Sequence, residues 1–115
     1  MSIQRYGVTC RYSDTVSHNG TVYLVEVPSN LDHDIIGQTQ NLLTSIDDLL
    51  KWADSDKSRL LMATIYLADM ADYDAMNEVW DAWLPVGNAP ARACIQARLA
   101  NPKCLIEIAL TAAQN

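Results

Sequence analysis

Ala89-Pro90-Ala91-Arg92-Ala93-Cys94-Ile95-Gln96-Ala97 decides how the chain is read. Alternation follows the proline. Ala91, Ala93, Ile95 and Ala97 fall on one side; Arg92, Cys94 and Gln96 fall on the other. A period of two predicts a strand with one apolar face toward a core. Arg92 then stands near the start of a half-buried strand. An arginine is rarely buried without an anionic partner, and its planar fork matches a carboxylate at two points. Further on, Leu105-Ile106-Glu107-Ile108-Ala109-Leu110 predicts a second apolar strand with one acid inside it. A tight turn at Asn101-Pro102 would join the two and set Glu107 across from about Gln96. Arg92 would then lie roughly 13 Å further along. One subunit would not easily bring both residues to a small ligand, whereas a cleft shared between subunits could.

The rest of the chain supplies the sheet and its cover. Arg5 to Cys10 predicts a short edge strand. Arg11 to Ser17 and Thr21 to Val27 flank His18-Asn19-Gly20, and Asn-Gly supplies the positive φ angles of a hairpin turn. Ile35, Ile36, Leu42, Leu43, Ile46, Leu49 and Leu50 recur at helical spacing, with Gln38, Gln40, Asn41, Asp47 and Asp48 assigned to the opposite, polar face. Asp32 or Asp34 can cap this helix, which ends near Trp52. Leu60 to Ala68 is apolar almost throughout and predicts a central strand covered on both faces. Tyr73, Met76, Val79, Trp80, Trp83 and Leu84 make a second helical stripe, closed by the segment Pro85 to Pro90. The order is β-β-β-α-β-α-β-β: an α+β fold with one mixed sheet and two helices on one face. No sequence remains to cover the other face, so a small oligomer packing sheet against sheet is expected.

Composition narrows the functions. The 115 residues suit a single domain, 1–115. A net charge of -6 with no run of Lys or Arg argues against a nucleic-acid-binding surface. The longest apolar runs have strand length, so no membrane span is expected. Met1-Ser2-Ile3-Gln4-Arg5 has no apolar signal-peptide core, and three cysteines without metal spacing suit reduced thiols in the cytoplasm. His18 and His33 have no second ligand at metal spacing, so no metal is assigned.

The element order and the segments around Arg92 and Glu107 resemble the RidA (YjgF) family, also called RutC-like. The most specific matches are Ala71-Asp72-Tyr73-Asp74-Ala75-Met76-Asn77 with Trp80, and Pro90-Ala91-Arg92-Ala93-Cys94. The resemblance implies a chorismate-mutase-like fold, a homotrimer whose sheets form a central barrel, and clefts between subunits. It implies hydrolysis of reactive 2-enamines and 2-imines, such as 2-aminoacrylate and 2-iminopropanoate, to a 2-keto acid and ammonia without a cofactor. By position, Arg92 matches the arginine that holds the substrate carboxylate. Cys94 matches a small residue lining the cleft, and Glu107 the acid that positions water. Tyr12 matches an N-terminal cleft tyrosine, and Asn77 an asparagine of the second helix. One departure stands out. Many members carry Ser-Gly at the end of the third strand, where this chain has Val25-Glu26, or Leu24-Val25 under another gap placement. Glu26 in the cleft would set a negative charge beside a carboxylate substrate.

Three functions fit: a 2-imino or 2-enamino acid deaminase, a non-catalytic small-carboxylate-binding or regulatory protein on the same scaffold, and an interaction module with a vestigial cleft. Arg92 and Glu107 favour the first; Glu26 favours the second. Cys94 fits a small packed residue better than a nucleophile, and Trp80 and Trp83 are read as core or interface residues.

Overall fold

The computed structural model describes residues 2–115; Met1 lies outside the described residues. The elements are β1 (Gln4–Tyr6), β2 (Thr15–His18), β3 (Thr21–Glu26), α1 (Ile35–Trp52), β4 (Leu60–Leu67), α2 (Tyr73–Trp83), β5 (Ala91–Gln96) and β6 (Ile106–Ala113), with one-turn 3-10 segments before β4 and α2. The predicted β-β-β-α-β-α-β-β order and α+β class hold. The six strands form one sheet in the order β1-β2-β3-β6-β4-β5.

The local signals act as expected. Asn19 and Gly20 take φ of 53° and 80°, and the turn they make joins β2 to β3. Asp34 is the cap of α1, its carboxylate accepting from the Gly37 amide at 3.0 Å. The first strands are shorter than predicted. β1 stops at Tyr6 because Gly7 turns the chain at φ 65°, and Thr9 to Tyr12 form a separate turn before β2.

The pairing of the last strands is a correction. β5 and β6 do not form a hairpin. The α2 crossover returns β5 parallel to β4, with Ala63 beside Arg92 and Tyr66 beside Ile95. β6 lies antiparallel on the opposite side of β4, with Tyr66 beside Glu107 and Ala63 beside Leu110. β5 is therefore the sheet edge and β6 an interior strand. A nine-residue connection leaves room for this; only a tight turn would have forced neighbours to pair.

Both helices pack on one face. Val22, Leu24, Ala63, Ile65, Leu67, Ile106, Ile108 and Leu110 meet Leu42, Leu43, Ile46, Leu50, Met76 and Trp80 there. The other face is open and apolar in the single chain. Tyr23, Val25, Met62 and Ile95 are each about half exposed, at 46–50 %. The double cover predicted for β4 is thus present on its helix side alone.

Gln38 overturns its assignment to the polar face of α1. It is 1 % exposed. Its Nε2 donates to the carbonyls of Leu31, His33 and Lys103 at 3.3, 3.2 and 3.0 Å, and its Oε1 accepts from the Leu105 amide at 2.9 Å. One side chain thereby ties the approach to α1 to the approach to β6. Gln38→Leu strands these backbone groups away from water. At about 1–3 kcal/mol for a buried polar group left unmatched, we expect a loss of about 2–4 kcal/mol in unfolding free energy, measured by urea denaturation.

Candidate active site

The six residues singled out in the sequence fall into two groups. Tyr12, Glu26 and Glu107 line one cavity of about 520 Å³ where β3 ends and β6 begins. Arg92, Cys94 and Asn77 lie on the other side of β4, between β5 and α2.

The cavity is built by three segments: the Tyr12-Ser13-Asp14 approach to β2, the end of β3 with Leu31 beyond it, and the connection Leu99-Ala100-Asn101 with Cys104. The Gln38 amide holds the last two in place through Leu31 and Lys103. Glu107 follows buried Ile106 and so faces the open side of the sheet, partly exposed. Tyr12 stands at the rim, 62 % exposed. Glu26 ends β3 beside buried Ile108, so the register sets it on the helix side of the sheet, opposite Glu107; it lines the cavity from the end of the strand and is partly buried. One of its oxygens accepts from the Val27 amide at 3.1 Å. Burial pushes its carboxyl above the ordinary range; the Val27 amide opposes this, and the Asp14 carboxylate adds to it.

Arg92 reverses the expected orientation of β5. It pairs beside buried Ala63, so Arg92 and Cys94 face the helices while Ala91, Ala93 and Ile95 face the open side. The Arg92 Nη1 donates to Asn77 Oδ1 at 2.8 Å, and Nη2 donates to the Tyr73 hydroxyl at 3.2 Å. Its guanidinium carbon lies 5.8 Å from the Tyr73 ring centre and 5.7 Å from that of Trp80, within cation–π range. Five donors are available on a guanidinium, so two fixed ones still leave a free fork. Tyr73 and the face of Trp80 as supports of Arg92 were missed in the sequence. The signal was present: Tyr73, Asn77 and Trp80 stand at i, i+4 and i+7 of one helix face. Cys94 is a free, partly buried thiol whose pKa burial raises, with Arg92 pulling it back. It is held toward the neutral thiol, which suits packing rather than nucleophilic attack.

Arg92 and Glu107 stand on opposite faces of the sheet. They are also two strand spacings and three residues apart, about 14 Å from backbone to backbone. One chain does not bring them to one small ligand. Among the described residues no group of three His, Cys, Asp or Glu could hold a metal ion, and no helix is long and apolar enough to cross a membrane.

The sequence pattern of the endoribonuclease L-PSP family matches residues 2–114. A RutC family protein of Haemophilus ducreyi is 50 % identical over 114 residues, covering 98 % of this chain and 97 % of its own. The chain belongs to the RutC, or YjgF, family. A second RutC family protein, YoaB of Escherichia coli K12, is 50 % identical over 113 residues, covering 98 % of this chain and 99 % of its own. Among solved structures, a YjgF family member from Neisseria meningitidis superposes with a TM-score of 0.96 at 46 % identity, over 100 % of this chain and 97 % of that one. The RutC fold is thus the fold of this chain.

Glu26 has a measurable consequence of its own. Its carboxyl binds a proton more readily in the folded chain than in the unfolded one. Its burial therefore costs nothing below the ordinary carboxyl value of 4.5. It destabilises the fold as pH rises through the raised value. Glu26→Gln is expected to raise the melting temperature at pH 7 and leave it unchanged below pH 4. A gain of equal size at both pH values would show that the titration of Glu26 is not its cause.

Proposed function

We propose that this RutC family member is a hydrolytic deaminase of 2-imino and 2-enamino acids. It would act without a cofactor in clefts between the subunits of a cytoplasmic homotrimer, each subunit one domain. The observation that carries the reading is the separation of a free arginine fork and a cavity glutamate onto opposite faces of one sheet. The two become useful to one ligand when the β5 edge of one subunit meets the cavity of the next. The open apolar face, with Tyr23, Val25 and Met62, supports the assembly, because close packing of three such faces would remove it from water.

The chemistry follows from the groups. Arg92 takes the substrate carboxylate at two points, held by Asn77, Tyr73 and Trp80. Glu107 accepts a proton from water as the water oxygen bonds to the C=N carbon of the protonated imine, giving a neutral carbinolamine. The glutamic acid then returns that proton to nitrogen; as the C–N bond breaks, the hydroxyl oxygen forms C=O and gives its proton to the Glu107 carboxylate, so ammonia and a 2-keto acid leave. Tyr12 closes the rim, and Cys94 lines the Arg92 side. Free imines already hydrolyse in water, so positioning and modest proton transfer suffice.

A second reading, a carboxylate-binding or regulatory protein without turnover, draws support from Glu26, which opposes an anion in the cavity. The RNA cleavage implied by the family's description has less behind it here, since a chain of net charge -6 repels a polyanion.

The test generates 2-iminopropanoate with an amino-acid oxidase and traps leftover imine with semicarbazide. The protein is expected to speed imine loss. Arg92→Lys keeps the charge but loses the fork, and should lower kcat/KM by about tenfold or more. Loss at the uncatalysed rate with the wild-type protein would reject the deaminase and leave the binding protein.

A further inference from the structure

We propose that the cavity selects 2-imino acids whose side chain ends in a cation, a guanidinium or an ammonium, and that Glu26 receives that end. This rests on the deaminase reading of the same cavity. The first observation is size. At about 520 Å³ the cavity lies in the range of roughly 300–1,000 Å³ that encloses ligands far larger than a three-carbon imino acid. The second is how its walls divide. Val25, Leu31 and Leu99 offer an apolar path for a side-chain stem, whereas Asp14, Glu26 and Glu107 bring carboxylates. No Lys, Arg or His lines it.

Glu107 has its task with water. Glu26 does not. Its one hydrogen bond comes from the amide of its own neighbour Val27, and Asp14 is the charge beside it. A half-buried carboxylate next to another carboxylate gains from a cation twice. A charge-assisted hydrogen bond replaces lost hydration, and the repulsion from Asp14 is relieved. A small 2-imino acid brings a negative charge alone into this field. A basic one brings its own compensation. Its carboxylate sits on Arg92 of the neighbouring subunit, its stem crosses the apolar wall, and its cation meets Glu26. Glu26 then acts as a specificity determinant.

Two measurements on the assembled full-length protein decide this. Calorimetry compares 4-guanidinobutanoate with hexanoate, unreactive acids of similar length that differ in the terminal cation. The wild-type protein should bind the guanidino acid about tenfold more tightly, and Glu26→Gln should cut that preference to about twofold or less. Equal affinities, no binding of 4-guanidinobutanoate, or a preference that survives Glu26→Gln would overturn the proposal. The second measurement compares imines made by an oxidase from arginine and from alanine. Glu26→Gln should shift the kcat/KM ratio toward the alanine imine by about tenfold, and an unchanged ratio would again overturn it. The two readings fail separately. Hydrolysis of neither imine, with the calorimetric preference intact, would reject the deaminase and leave the cavity's choice of cation standing.

Discussion

Strand β4 is hydrogen-bonded to β5 on one side and to β6 on the other, and the rest of the site depends on that. Register through β4 ties every side chain on its neighbours to one face or the other. Ala63 is buried under the helices, so Arg92 beside it points to the helices; Tyr66 is on the open side, so Glu107 beside it points there. The two groups suited to carboxylate recognition and proton transfer are divided by the sheet itself. No side-chain rotation reunites them within one chain. In the proposed assembly, a cleft shared between subunits restores the pair without any change in the fold.

Each half is held by interactions that do no chemistry. On the helix side, Asn77 and the Tyr73 hydroxyl take two guanidinium donors, and two aromatic rings flank the cation, so the Arg92 guanidinium is held in one orientation. At the cavity, the buried Gln38 amide of α1 fixes the walls through four backbone bonds. Trp83 ties the two helices together, its Nε1 donating to both oxygens of Asp47 at 3.1 Å. The helix layer thus braces both halves, and the order of the parts limits how far either can drift.

What was legible in the sequence was local. Asn19-Gly20 declares its turn through φ, Asp34 its cap, and the leucine and isoleucine stripe its helix, because each depends on residues a few positions apart. The resemblance carried the fold and named Arg92 and Glu107. Strand pairing was not legible, because which strand lies beside β4 is settled by the α2 crossover and the length of the last connection. The face of β5 was misread for a physical reason. The rule that the apolar side is the buried side assumes one wet face, yet the open face of this sheet is apolar as well. Small Ala91 and Ala93 with Ile95 belong to that open face, while the core side accepts Arg92 because aromatic rings and an amide await it. Gln38 was misread in the same manner: a polar residue was given to solvent, although backbone carbonyls at the helix entrance needed a donor.

The central claim is that Arg92 of one subunit and Glu107 of another serve the same substrate. Subunit mixing tests it most directly. Arg92→Ala and Glu107→Ala chains, each expected to be inactive alone, are unfolded together, refolded at equal ratio, and assayed for 2-iminopropanoate hydrolysis, with mass analysis confirming mixed assemblies. Random mixing gives half the clefts an intact arginine and, independently, half an intact glutamate. The account therefore predicts a rate about one quarter of the wild-type value per subunit. Confirmed mixed assemblies with no recovered activity would contradict it, because both residues would then have to act from the same chain.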